Sequence, residues 1–252
     1  MTNLNRALRA EILKLNRTLA LAMIFVAPLA VNFLAWLVIM RTDIKNPEPW
    51  KSLANNTLFV WGILMMPLFT TLETALISGL DHGASAWKHL YALPIPRWTI
   101  YAAKQIIAMV LIGASMVVMC IGIWLTGTVT RTLGLKPNLD FGTPFPWSTV
   151  LTATLIGFLA SWLIISIHVW VSMRWSSFTI SLGVGIVAVV GAFVAVNSDQ
   201  WRPLYPWSLS AETFFQILQE NSIATTSILI GLIGGIVVAL IGMWHISQRD
   251  VL

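Results

Sequence analysis

Residues 18–40 read TLALAMIFVAPLAVNFLAWLVIM. The stretch carries no charge, and as a helix rising 1.5 Å per residue it is long enough to cross a hydrocarbon core, which needs about 20 apolar residues. It follows a charged segment, Arg6 to Arg17. It is too long for the apolar core of a signal peptide and lacks a small-residue cleavage site, so it is expected to stay as a first membrane helix. Five more stretches read the same way: Thr57–Ser78, Ile100–Thr126, Thr149–Ser172, Phe178–Asn197 and Ile223–Ile246. None alternates with the two-residue period of a barrel strand. The expectation is an all-α, polytopic membrane protein with six transmembrane helices, forming a single transmembrane domain over residues 1–252.

Composition supports this. Hydrophobic residues make up 57% of the chain and charged residues 10%, where a soluble domain carries about 25% charged. So few charges cannot cover so much apolar surface in water, which excludes a disordered chain, a disulfide scaffold and an ordinary cytosolic enzyme. The single Cys120 excludes an intrachain disulfide and a cysteine-rich metal site. Many of the 13 tryptophans stand near the ends of apolar runs, as interface anchors do. The net charge of +5 is scattered, with no basic run, so it reflects topology and not nucleic-acid binding.

Loop charge sets the orientation. With the N-terminus in the cytosol, the inner segments hold nine Lys and Arg residues and the outer segments six, a modest positive-inside bias. An even number of spans then returns the C-terminus to the cytosol. Residues 4–17 are expected to form an interfacial amphipathic helix, with Leu4, Leu8, Ile12 and Leu15 on one face and Arg6 and Arg9 elsewhere. Arg41–Asn56 reads as a short polar outer connection, and Gly127–Ser148, with Pro137, Pro144 and Pro146, as an irregular one. Trp201, Tyr205 and Trp207 read as an outer aromatic anchor, followed by a short interfacial or re-entrant helix over Ala211–Glu220.

The loop between the second and third spans is the most informative polar piece. It reads GLDHGASAWKHLYALPIPRWTIYAAKQ over Gly79–Gln105. Gly79 and Gly83 allow a sharp exit, Ser85–Ala92 can make about two helical turns, and Pro94 and Pro96 stop them. A short cytosolic helix over this 79–98 segment, pinned by Trp87 and Tyr91, would be a surface for a partner to push on. The alternative is an interfacial turn without a partner.

The chain lacks the motifs of intrinsic catalysis. It has no G-x-x-x-x-G-K-[ST], no H-E-x-x-H and no G-x-S-x-G. His82, His89, His168 and His245 are far apart, and Lys104 is read as the wet end of the third span. Two ionisable groups stand inside spans. Glu73 must be neutral, paired or turned to a protein-lined cavity. It either serves transport or fixes the neighbouring loop by an ion pair or hydrogen bond. His168 is read as satisfied by a hydroxyl or a backbone carbonyl, with a functional role as the alternative.

The stretch ETALISGLDHGASAWKHLYALPIPRWTIYAAK (Glu73 to Lys104) resembles a segment of ABC-2 type transporter permease subunits, close to the lantibiotic-immunity and antimicrobial-peptide export group. The matching positions are Glu73, Gly83, Trp87, Leu90, Pro94, Arg97, Tyr101 and Lys104. LRAEILKLNRT (Leu8 to Thr18) resembles the amphipathic helix that begins such chains. The resemblance implies a multi-pass permease of a bacterial cytoplasmic membrane, with both termini cytosolic. It implies that the chain is no enzyme and holds no cofactor, with ATP and magnesium bound by separate ATPase subunits below. It further implies a second permease chain, identical or related. A coupling helix between spans two and three would then meet the ATPase through His82, Trp87, Lys88, Leu90, Leu93 and Arg97.

The nearly uncharged spans suit an amphiphilic peptide or another hydrophobic cargo, and the resemblance points to an antimicrobial peptide. Two other readings stand beside this one. An ion-coupled secondary transporter would show internal repeats and helices broken near the midplane; Pro28 and Pro67 interrupt spans one and two, but the fourth span has no proline and only Gly157. A non-transport scaffold or sensor subunit would keep cargo flux unchanged when a partner ATPase is inactive.

Overall fold

The computed structural model describes residues 3–41, 48–83, 96–139 and 141–248, and among these every regular element is helical. Helix α1 (Asn3–Leu15) precedes α2 (Leu19–Arg41). Next come α3 (Pro49–Val60), a π-helical turn over Trp61–Met65, and α4 (Met66–Gly83), in one continuous rod. Helices α5 (Arg97–Thr132), α6 (Trp147–Ala160), α7 (Trp162–Arg174), α8 (Phe178–Ala195), α9 (Leu209–Phe215) and α10 (Thr225–Ser247) complete the chain, with a second π turn over Gln216–Glu220 after α9.

Five helical rods are long and apolar enough to cross a membrane: Leu19–Arg41, Pro49–Asp81, Arg97–Thr132, Phe178–Ala195 and Thr225–Ser247. A sixth crossing exists when α6 and α7, bent by 42° at their junction, count as one span. The chain is thus a multi-pass membrane protein. The second span begins before Thr57, because Pro49 starts the helix at a position where a missing N–H costs nothing. Trp50 then fixes it, its ring 4.8 Å from Phe141 and 5.0 Å from Phe145. The expected polar connection Arg41–Asn56 is therefore helical from Pro49 onward, while residues 42–47 lie outside the described residues. Likewise α5 runs on to Thr132, and turns fill the rest of the expected irregular loop up to Pro146.

Two interruptions have local causes. Pro67 has no N–H to give to the carbonyl of Ile63, and its ring crowds that carbonyl, so the helix widens into a π turn just before it. Gly62 in that turn lets α9 come close, since a Cβ there would lie 2.8 Å from the Phe214 ring and 2.9 Å from the Ala211 nitrogen. The fourth span breaks at Ser161, a residue without helix-breaking reputation. Its hydroxyl donates back to the Phe158 carbonyl at 2.6 Å, a bond that bends helices. Helix α10 presses on the break: a Cβ on Gly231 would lie 2.5 Å from the Ala160 Cα, and one on Gly235 2.8 Å from the Trp162 carbonyl carbon. The sequence reading of an unbroken fourth span is corrected by this contact, which has no local signature.

Helix α1 lies along the bundle at the end where α4 finishes and α5 begins. Its buried face is Ala7, Glu11 and Leu15, while Ile12 is 56% exposed. The expected Leu4–Leu8–Ile12–Leu15 face is therefore rotated, and an acid stands in the middle of the face that packs. The short helix expected over 85–92 lies outside the described residues.

Candidate functional site

At the end of the bundle opposite α1, a cavity of about 1290 Å3 opens between α2, α3 and the turns after α8. Val31, Leu34 and Val38 form one wall, and Leu53, Phe59 and Val60 the other. The polar lining includes Arg41, Asn55, Asn56, Asn197 and Arg202. The Asn55 Oδ1 is buried with no hydrogen-bond partner among the described residues. An apolar cleft with a few convergent polar groups is what an amphiphilic ligand requires.

The floor of that end is built by residues 199–220, which fold back into the bundle. Trp201 is 59% exposed. Tyr205 and Trp207, expected beside it as an outer anchor, turn inward instead. The Tyr205 hydroxyl donates to the Ala188 carbonyl at 2.9 Å. The Trp207 indole N–H donates to His168 Nε2 at 3.1 Å. Helix α9 follows with Phe214 fully buried against Gly62 and Gly157. Glu212, nearly inaccessible, is held by Arg202 at 2.7 Å and by the Gln216 amide at 2.5 Å. The Arg202 guanidinium also lies 5.1 Å from the centre of the Phe215 ring. The re-entrant alternative for this segment thus describes it better than a surface helix.

His168 is buried on α7 and joins three elements. An indole N–H can only donate, so Nε2 accepts and a neutral ring carries its proton on Nδ1. With the proton there, Nδ1–H can donate to the Thr71 Oγ1 of α4 at 3.5 Å, and the Thr71 hydroxyl donates in turn to the Pro67 carbonyl at 2.9 Å. The expected hydroxyl partner is present, and the indole was not foreseen.

Glu73, on α4 about two turns before Asp81, is fully buried, and neither carboxyl oxygen has a hydrogen-bond partner among the described residues. The short helix that the sequence reading ties to Glu73 as a loop clamp lies outside the described residues.

About two turns further along α4 stands a buried ion cluster. Lys104 Nζ, 1% exposed, lies 2.9 Å from Glu11 Oε2 and 2.5 Å from Asp81 Oδ2, and donates to the Ile77 carbonyl at 3.3 Å. Lys14 Nζ closes the ring at 2.7 Å from Glu11 Oε1 and 2.7 Å from Asp81 Oδ1. Burial alone would lower the Lys14 pKa; the Asp81 and Glu11 carboxylates outweigh it and hold the ammonium above the ordinary lysine value. Lys104 is therefore no wet end but the centre of a buried ion cluster. A lone base inside an apolar run demands an acid, and that rule pointed to a partner without saying which.

Of the residues expected to meet an ATPase, Arg97 opens α5 and is half-buried. His82 belongs to the last turn of α4, and Trp87, Lys88, Leu90 and Leu93 lie outside the described residues. Among the described residues, no three His, Cys, Asp or Glu side chains converge as metal ligands would.

No curated protein and no solved structure is significantly similar to the chain. Residues 7–194, most of its length, match the family described as ABC-2 family transporter protein. That match includes most of α1, five of the crossings and the ion cluster. Such proteins form the membrane component of ABC transporters and associate with ATP-binding cassette partners, which accords with an all-helical, multi-pass bundle. The chain belongs to the ABC-2 family of transporter proteins.

Proposed function

We propose that the chain is the permease subunit of an exporter in a bacterial cytoplasmic membrane, moving an amphiphilic or hydrophobic cargo such as an antimicrobial peptide. Six crossings, with the bent α6–α7 pair as the fourth, keep both termini on one side, and the loop-charge bias makes that side the cytosol. Two such chains, identical or related, line the path, and separate ATPase subunits bind ATP and magnesium and supply the stroke. Residues 79–98 seat in the ATPase through His82, Trp87, Lys88, Leu90, Leu93 and Arg97, and α1 lies in the cytosolic interface.

The observation that carries this reading is the wide apolar cavity between α2 and α3 in a chain that belongs to the ABC-2 family. Its walls suit alkyl or aromatic side chains, and its asparagines can meet peptide amides. The chemistry of the cycle is phosphoryl transfer on the partner, and this chain contributes shape and lining.

The ATPase contact is tested by purification from membranes in mild detergent. With Trp87→Asp and Leu90→Asp together, the ATPase subunit is expected to be lost from the purified complex while the permease itself is recovered at the wild-type level. Two buried charges in an apolar contact cost several kcal/mol each. Undiminished co-purification would remove these residues from the interface.

A further inference from the structure

The cavity between α2 and α3 carries charge of one sign. Arg41 and Arg202 line it, and among the described residues no Asp, Glu or Lys does. Arg202 is already held by Glu212 at 2.7 Å, which leaves that pair close to neutral. Asp199 stands 3.6 Å from another nitrogen of Arg202 and is almost wholly exposed, where water screens it. Arg41 is different. It is exposed, and no carboxylate stands against it among the described residues.

Two helix ends meet at the same mouth. Helix α2 finishes at Arg41, and its last carbonyls carry about half a negative charge. Helix α3 starts at Pro49 with no side-chain cap, and its first amides carry about half a positive charge. Pro49 and Ser52 of that first turn both line the cavity. Glu48 and Lys51 pair with each other at 3.8 Å, and neither lines it. The helix ends offset one another, so the Arg41 charge remains. Deeper in, the walls are apolar, and the Asn55 Oδ1 is a buried acceptor that lacks a donor among the described residues.

We infer that the cavity takes a peptide by its free C-terminal carboxylate, with Arg41 holding that group at the mouth. A chain end of this kind offers an acceptor for the guanidinium and, one step back, an amide N–H for Asn55. Apolar side chains then fill the cleft. An acidic lipid would satisfy Arg41 and bring no amide, so the orphan Asn55 acceptor favours the peptide. The inference rests on the amphiphilic-cargo reading and adds which end of the cargo is recognised.

The test is equilibrium binding to the permease with its co-purifying ATPase, free of nucleotide, in nanodiscs of uncharged lipid. One fluorescent amphiphilic peptide is made twice, with a free C-terminal carboxylate and with a C-terminal amide, and empty nanodiscs give the lipid background. The wild-type complex is expected to bind the carboxylate form about tenfold or more tightly than the amide, the scale of a hydrogen bond to a charged group. Arg41→Gln, at an exposed position, is expected to keep its unfolding temperature and bind both forms alike. Equal affinities in the wild type, or a preference that survives Arg41→Gln, would overturn the inference. Binding of neither peptide would also overturn it, and saturable capture of dodecyl phosphate in that case would assign the mouth to an acidic lipid. Failure of ATP-driven flux with the carboxylate preference intact would sink the exporter reading alone.

Discussion

Gly231→Leu is expected to be the most destabilising single substitution in the bundle. A Cβ at this position would sit 2.5 Å from the Ala160 Cα and 2.7 Å from its carbonyl carbon. These are backbone atoms at the break of a bent span, and no side-chain rotation relieves them. Overpacking costs about 1–3 kcal/mol where side chains can yield. Here α10 must move off the α6–α7 junction as a body, so at least about 3 kcal/mol is expected, a fall of about 10 °C in unfolding temperature. Gly183→Leu is the matched control, because nothing lies within 4 Å of a Cβ there. Tryptophan fluorescence during heating in detergent reads both. Equal unfolding temperatures for the two variants would show that α10 does not press on the break.

Glu73→Leu is expected to move stability and function in opposite directions. A buried polar group left without a partner costs about 1–3 kcal/mol, and leucine of similar size relieves it. The unfolding temperature is expected to rise by about 5 °C. A group that lowers stability and holds no partner among the described residues is expected to serve transport. Cargo movement is accordingly expected to fall by about an order of magnitude, with ATPase co-purification unchanged. Thermal unfolding and vesicle flux measured on one preparation separate the outcomes. A stabilised variant with normal flux would make Glu73 dispensable, and a destabilised one would mean that it has a structural partner.

The apolar stretches were legible because their cause is local: residues 18–40 and 223–246 need only their own composition to be spans. The ends were less so. Trp50 makes its start of α3 helical by packing on Phe141 and Phe145, residues far away in the chain. The break at Ser161 depends on Gly231 and Gly235 in another helix, and serine alone does not announce it. The inward turn of Trp207 follows the same logic, since an aromatic residue beside apolar sequence suits either an interface or a buried hydrogen bond. At the α1 end, Lys104 was visible as an anomaly, but Glu11 and Asp81 sit in segments that read as an ordinary amphipathic helix and an ordinary polar exit. Periodicity misplaced the packed face of α1 by treating every leucine as inward and every acid as outward. The ion cluster reverses that rule at one position.

The central claim is that this chain moves an amphiphilic cargo only when a separate ATPase drives it. The direct measurement is flux of a fluorescent amphiphilic peptide across vesicles that hold the purified chain with or without its co-purifying ATPase, in the presence and absence of ATP and magnesium. The account expects flux with the ATPase and ATP together, and none from the chain alone under any condition. Peptide movement by the chain alone, unchanged by ATP or by an ion gradient of either sign, would contradict it.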